Sequence, residues 1–140
     1  MMMTPRDTRT GGVLEAMVLP ALERGGYGYQ KQVKIGSRPG GRAHKIDAVA
    51  EKGGAKILVS LKWQQVNGTA EQKVPFEVMC LADEVRSGAF QKAYVVLGGD
   101  GWTLREFYVG GGLKNHLIHA DHVTVLTLER FVAVANQGKL

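Results

Sequence analysis

The chain has 140 residues, of which 44% are hydrophobic and 22% are charged, and its formal net charge is +5. This composition is typical of one globular domain over residues 1–140 and excludes a fibrous or largely disordered protein. No segment approaches the ~20 apolar residues of a membrane-spanning helix. Cys80 is the only cysteine, which excludes an internal disulfide, so we expect a reducing compartment: the cytoplasm of a bacterial, archaeal or phage-infected cell. The positive charge favours a polyanionic partner without identifying it.

The first predicted element is a helix over residues 11–24, whose apolar residues recur at helical spacing. Pro20 removes one backbone hydrogen bond and is expected to bend the helix, and the glycine pair at 25–26 is expected to end it. Residues 1–10 lack the apolar centre of a secretory signal, and we expect them to form a flexible basic arm.

Three strands are predicted next. Residues 27–36 alternate between polar and apolar side chains, and two further strands cover about 45–51 and 56–64. The Gly53-Gly54 pair is expected to join the second and third strands as a β-hairpin.

Helices and strands alternate in the second half of the chain. Apolar residues within 70–85 form a helical stripe, and residues 92–98 form a short buried strand. Residues 102–112 fit either a strand or a short helix, and residues 122–137 predict a strand followed by a helix. This order predicts an α/β fold in which a mixed sheet has helices packed on its faces.

Polar residues interrupt the third strand on one face only. Ser60, Lys62 and Gln64 alternate with apolar residues, because the side chains of a strand point to alternate sides. If the hairpin closes at the glycine pair, Asp47 lies opposite Ser60 on the neighbouring strand. A carboxylate, a hydroxyl and an ammonium group are then expected close together. A buried Asp47–Lys62 ion pair with no catalytic role is the alternative interpretation.

This set of groups suits the hydrolysis of a phosphodiester bond. Mg²⁺ prefers hard oxygen ligands, commonly one or two carboxylates together with water and a phosphate oxygen. The ion lowers the pKa of a bound water and stabilises charge on the phosphate during attack. A nearby lysine neutralises developing charge or orients the water. The two strands therefore predict a Mg²⁺ site, with Mn²⁺ as an alternative metal.

Asp47, the hairpin and the Ser60-Leu61-Lys62 triplet resemble the PD-(D/E)XK nuclease superfamily, in which an aspartate precedes an acid-x-lysine triplet on the next strand. The layout is most similar to archaeal-type and phage Holliday junction resolvases, which are short basic chains whose first helix carries a glutamate. The segment TGGVLEAMVLPALERGGY matches that helix and makes Glu15 the equivalent acid. The resemblance implies a restriction-endonuclease-like mixed sheet flanked by helices. The implied active-site residues are Glu15, Asp47, Ser60, Lys62 and Gln64.

Ser60 departs from the family pattern, which has Glu or Asp at this position as a second metal ligand. A serine hydroxyl is a weaker ligand and carries no charge. Some restriction enzymes of the superfamily also have serine here and recover the carboxylate from the following helix, where Glu71 and Glu77 are the candidates. Spacing slightly favours Glu77. The expected metal ligands are therefore Glu15, Asp47, Ser60 and Glu77.

Cations border the predicted site, and the glycines between them allow a phosphate chain to approach the backbone closely. A solvated charged surface is the alternative explanation of such a run. His44 lies among these cations, where a solvated loop histidine is more common than one that contacts a substrate. The residues expected to contact the DNA backbone are Arg9, Lys34, Arg38, Arg42 and Lys45.

These features predict a Mg²⁺-dependent endonuclease that cuts branched DNA as a Holliday junction resolvase. Two symmetric cuts need two active sites, so we expect a homodimer with its contact in residues 92–109 or 123–135. Two alternatives are open. One is a restriction-type or repair endonuclease that acts on duplex DNA. The other is a catalytically inactive nuclease fold that binds DNA, which the serine at position 60 would explain.

Overall fold

The first helix, α1, covers residues 9–24 of the computed structural model, which describes residues 9–140. It is α-helical at Arg9–Val13, π-helical at Leu14–Val18 and α-helical again at Leu19–Arg24. The helix begins slightly before its predicted start, so it includes the end of the predicted flexible arm. The rest of that arm lies outside the described residues.

Pro20 accounts for the π-helical middle section of α1. Proline has no N–H, and its ring crowds the carbonyl one turn back, so a regular α-helical bond is not available there. The amide of Leu19 instead donates to the carbonyl of Leu14, five residues back. The helix therefore contains one π-helical turn before Pro20, and the predicted bend stays a prediction.

A five-stranded mixed sheet follows α1. Its strands are β1 (Gly28–Ser37), β2 (Ala43–Lys52), β3 (Ala55–Trp63), β4 (Lys92–Gly98) and β5 (Val123–Thr127). They lie side by side in chain order; β1, β2 and β3 are antiparallel, and β4 and β5 run parallel to β3. The sheet confirms all five predicted strands.

Three further helices accompany the sheet. α2 (Ala70–Arg86) connects β3 to β4, and α4 (Leu128–Asn136) follows β5 directly. The segment that the sequence left open between strand and helix forms a short helix, α3 (Arg105–Val109), followed by one 3₁₀ turn at Gly112–Asn115. Within residues 9–140, no helix combines the length and the apolar character that crossing a bilayer requires.

The β2–β3 hairpin has the predicted register. Ala48 pairs with Val59, and the ladder continues to the turn, where Gly53 and Gly54 adopt φ angles of 60° and 84°. Glycine adopts these left-handed angles without steric cost. Asp47 therefore lies beside the segment of β3 that carries Ser60.

Apolar side chains cover both faces of the sheet. The face packed against α1 and α4 is here called the α1 face, and the face packed against α2 is called the α2 face. Buried residues of the α1 face include Leu14, Leu22, Ala48, Val59, Leu61, Val96 and Phe131. Buried residues of the α2 face include Ile46, Leu58, Val74, Val78, Leu81 and Val95. The chain thus has the predicted α/β fold, a mixed sheet flanked by helices.

Candidate active site

Asp47 lies where β2 departs from regular geometry. Residues two apart in a strand normally share a face, but Ile46 packs on the α2 face and Ala48 on the α1 face. At this irregular point a side chain of β2 binds the backbone of β3: Asp47 Oδ2 accepts a hydrogen bond from the Leu61 amide at 2.7 Å. The strand distortion thus fixes Asp47 directly beside β3.

The environment of Asp47 raises the pKa of its carboxyl group. Burial is the largest cause, and the charge of Glu77 acts in the same direction. The Leu61 hydrogen bond, the charge of Lys62 and a hydrogen bond from the Gln32 side chain act in the opposite direction. Asp47, Lys62 and Glu77 are therefore close enough to interact electrostatically.

Ser60 binds the side chain of Glu77, which α2 places over the polar side of β3. The Ser60 hydroxyl donates to Glu77 Oε2 at 2.5 Å, and the Lys62 ammonium lies 3.5 Å from the same oxygen. The serine and the glutamate are almost fully buried, at 1% and 2% exposure. Of the two glutamates that the sequence offered as substitutes for an acid at position 60, Glu77 is the one that contacts Ser60.

Two further residues surround the second oxygen of Glu77. Arg38 places a guanidinium nitrogen 3.3 Å from Oε1, and His44 places Nε2 3.1 Å from it, although the angle at the ring nitrogen is poor for a hydrogen bond. Burial by itself raises the pKa of Glu77, but His44, the charge of Lys62 and the Ser60 hydroxyl outweigh it and lower the pKa to about 2. Glu77 is therefore a buried carboxylate held in its charged form.

His44 corrects the expectation of a solvated loop histidine. It belongs to β2, and its side chain is completely buried on the α2 face. The signal in the sequence was its position two residues before Ile46, which places both side chains on one side of a strand. The predicted strand begins at residue 45, one residue after His44, so His44 falls in the predicted connection.

Glu71 and Gln64 serve a different part of the fold. Glu71 accepts hydrogen bonds from the amides of Thr103 and Leu104, the latter at 3.0 Å. The amide group of Gln64 donates to Glu71 Oε1 at 3.3 Å and to the Gly101 carbonyl at 2.8 Å. Gln64, although it follows Lys62 on the same strand, is therefore directed toward the loop after β4. These two side chains hold that loop in place.

Glu15 lies on the π-helical section of α1, where it is exposed and forms an ion pair with Lys31 of β1. Residues 9–140 contain no group of three or more His, Cys, Asp or Glu side chains placed to hold a metal ion. The predicted metal role of Glu15 thus stays a prediction. The acids that the structure brings close together are Asp47 and Glu77.

The predicted DNA-contacting cations do not form one patch. Arg38 is half-buried against Glu77, while Lys34 and Lys45 are exposed and pair directly across the β1–β2 ladder. Because His44 points to the α2 face, Lys45 and its partner point to the α1 face. Arg42 is exposed in the turn between β1 and β2, and the side chain of Arg9 lies outside the described part of the chain.

Comparison with known proteins agrees with this geometry. A family model described as a PD-(D/E)XK nuclease superfamily domain matches residues 6–139. The chain belongs to the PD-(D/E)XK nuclease superfamily. Proteins of this superfamily are generally hydrolytic nucleases that typically use divalent metal ions. No curated protein sequence matches the chain.

Two solved structures were found to be similar to this PD-(D/E)XK domain. A protein of unknown function, AF1548, superimposes with a TM-score of 0.55 at 15% identity, over 79% of this chain and 54% of that one. SfsA from Pyrococcus furiosus, solved in complex with Ca²⁺, gives a TM-score of 0.47 at 18% identity, over 86% of this chain and 57% of that one. The chain therefore spans little more than half the length of either protein.

Replacing Glu71 tests its assignment as a loop anchor. Its pKa is lowered: burial raises it, but the Thr103 and Leu104 amides outweigh that effect. Its stabilising contribution is therefore present above the unfolded value of 4.5 and is lost as the pH falls through the lower folded value. We expect Glu71→Gln to reduce the free energy of unfolding by about 1–3 kcal/mol at neutral pH, and by less well below pH 4.5.

Urea unfolding of both proteins at neutral and acidic pH measures this difference. Glu106→Gln, at an exposed acid of α3, is the matched control and should change stability little at either pH. A Glu71→Gln variant as stable as the wild type at neutral pH would contradict the assignment.

Proposed function

We propose that this PD-(D/E)XK domain is a metal-dependent endodeoxyribonuclease whose active site consists of Asp47, Lys62 and Glu77. The observation that carries the proposal is the contact of Glu77 with both Ser60 and Lys62. The superfamily pattern expects an acid at position 60, next to the lysine. Here the crossover helix supplies a carboxylate at the same place, so the serine does not remove the acid from the site.

The residues present fit a divalent cation of the Mg²⁺ type. Such ions need only one or two carboxylates, because water and a substrate phosphate complete the coordination. Glu77 keeps its charge, and Asp47 is a partly buried acid close to it. Glu77 Oε1 lies near Arg38 and His44 but accepts no well-aligned hydrogen bond from the described residues. A bound Mg²⁺ or Mn²⁺ would supply a water of lowered pKa and positive charge at the phosphate.

The remaining side chains have separate roles around Asp47 and Glu77. Lys62 is partly exposed, so its ammonium is available to a phosphate oxygen while it stays close to Glu77. Ser60 orients Glu77 through its hydroxyl, which is a positioning role instead of the predicted role as a ligand. Arg38 and His44 stabilise the buried charge from the other side.

Branched DNA is the substrate that we propose for this site. Phe76 immediately precedes Glu77 on α2, and its ring is 41% exposed. The Arg38 guanidinium lies 5.9 Å from the ring centroid, so an aromatic surface and a cation meet next to the proposed active site. An exposed aromatic ring can stack on the face of a base that has no stacking neighbour, as in the base pairs that border the centre of an open four-way junction. The interior of an intact duplex offers no such base face.

A homodimer completes this proposal, because two symmetric cuts in a junction need two active sites. β4 is enclosed between β3 and β5 and is not available as a contact surface. Two elements within the predicted segments remain suitable as the dimer contact. They are α3, which carries the exposed Phe107, and β5, which is an edge strand of the sheet. Light scattering of the purified protein would measure the oligomeric state.

The three proposed catalytic residues can be tested against one close control. We expect Asp47→Asn, Lys62→Ala and Glu77→Gln each to lower the rate of DNA cleavage at least ~100-fold, because each removes charge that acts on the reacting phosphate. Cleavage of a labelled four-way junction and of linear duplex with Mg²⁺ or Mn²⁺ measures the rate. Glu71→Gln, on the same helix, should cleave at the wild-type rate at a temperature where it is folded.

Unchanged cleavage in Asp47→Asn and Lys62→Ala would contradict the proposed site. Junction binding by the wild type without cleavage in either metal would instead identify an inactive DNA-binding module. A discrete ladder from plasmid DNA would identify an endonuclease that reads duplex sequence.

Phe76→Ala tests the preference for branched DNA. Loss of one base-stacking contact should weaken junction binding about 5- to 100-fold and leave the much weaker binding to duplex unchanged. Met79→Ala is the matched control, since Met79 is similarly exposed one turn further along α2. Fluorescence anisotropy with both DNAs gives the affinities. Equal losses for Phe76→Ala and Met79→Ala, or for junction and duplex, would contradict a stacking role.

Substitutions of Lys34 and Lys45 test where the DNA backbone binds. Like charges directly opposite in a ladder destabilise a sheet, so a phosphate that binds both would offset that repulsion. We expect Lys34→Ala and Lys45→Ala each to reduce the slope of log affinity against log salt by ~1, without loss of stability. Lys139→Ala, at an exposed lysine close to the C-terminus, is the control. An unchanged slope in the two strand variants would exclude this pair from the interface.

A further inference from the structure

Gln32, in the middle of β1, has a backbone conformation that a strand residue rarely adopts. Its φ angle is 54°, and within residues 9–140 the other non-glycine residue with a positive φ is His119. For a residue with a Cβ atom this conformation costs free energy, and such strain persists only where the surrounding structure imposes it. Gln32 therefore needs an explanation that the sheet alone does not supply.

The position of Gln32 relative to Asp47 supplies that explanation. Lys31 pairs with Ala48 and Val33 pairs with Ile46, so Gln32 lies across the ladder from Asp47. The regular pairing is interrupted at this step, which is also the step at which β2 changes the faces of its side chains. The two strands are thus irregular at the same place, and the two residues there face each other.

The side chain of Gln32 lies close enough to the Asp47 carboxyl group to lower its pKa, although burial has the larger effect and raises it. Leu61 donates to the same carboxylate from β3 on the other side, at 2.7 Å. Asp47 thus lies between a backbone amide of the central strand and Gln32 of the edge strand.

We propose that Gln32 is a positioning residue for the Asp47 carboxylate, and that its left-handed backbone is retained because it directs the side-chain amide to that acid. The inference rests on the proposed nuclease function, in which Asp47 binds the divalent cation. Second partners that orient a metal ligand typically contribute 10- to 100-fold to metal affinity or activity. A change at this position that relieves the strain and removes the amide should consequently lower activity without lowering stability.

Gln32→Gly separates the two effects, because glycine adopts a positive φ without strain but has no amide side chain. We expect its melting temperature to equal the wild-type value or to exceed it by up to ~3 °C. We expect its kcat and its Mn²⁺ affinity to fall about 10- to 100-fold. Gln32→Asn keeps the amide and tolerates a positive φ, so its kcat and its Mn²⁺ affinity should lie between those of Gln32→Gly and the wild type. Thermal unfolding, junction cleavage and Mn²⁺ titration by calorimetry measure these quantities.

His119→Gly is the matched control. His119 has a φ of 61° in an exposed connection, so glycine relieves the same kind of strain there. That variant should keep wild-type kcat and Mn²⁺ affinity.

Two outcomes would overturn the inference, and they differ in what they say about the enzyme. Wild-type kcat and Mn²⁺ affinity in Gln32→Gly, with Asp47→Asn inactive, would reject the positioning role and leave the proposed function in place. A wild-type protein that neither cleaves DNA nor binds Mn²⁺ would reject the proposed function, and the role of Gln32 with it.

Discussion

The burial of the Glu77 carboxylate is the interaction on which the rest of the site depends. An unpartnered charge in a protein interior costs several kcal/mol, so every polar group around Glu77 has a structural reason to be there. Ser60 and Lys62 come from β3, His44 comes from β2, and Arg38 comes from the turn after β1. One side chain of α2 therefore ties the helix to three consecutive parts of the sheet. The same contacts place a charged acid beside a lysine, which is the arrangement that phosphodiester chemistry uses.

The topology of the sheet explains why the helix can provide this acid. β3 and β4 are parallel neighbours, so the chain must cross from one end of the sheet to the other between them, and α2 is that crossover. A crossover helix packs on one face of the strands that it joins. In this protein it packs on the face to which Ser60 points, so a glutamate directed inward from α2 reaches the polar residues of β3. The apolar stripe of α2 on either side of Glu77 keeps water away from the contact.

Much of this arrangement could be predicted from the sequence, because it depends on local periodicity. Strand alternation and the glycine turn determined the register of the β2–β3 hairpin, and with it the neighbourhood of Asp47 and Ser60. The sequence did not reveal the burial of His44, because the predicted strand starts one residue after it. The direction of Arg38 depends on contacts between segments far apart in the chain, and the conformation of Gln32 depends on an interruption of regular strand geometry. Alternation rules assume regular strands, so they fail at the distortions that build the site.

The division of the acid and the lysine between a helix and a strand has a consequence for recognising proteins of this kind. In this chain the carboxylate beside Lys62 comes from α2, so the linear acid-x-lysine signature is absent although an acid lies 3.5 Å from the lysine. Searches that scan for an acid two residues before a lysine do not find such chains. A template that holds the spatial positions of Asp47, Lys62 and Glu77 would retrieve them. Some chains that lack the linear signature would then be recognised as carrying the same group of side chains.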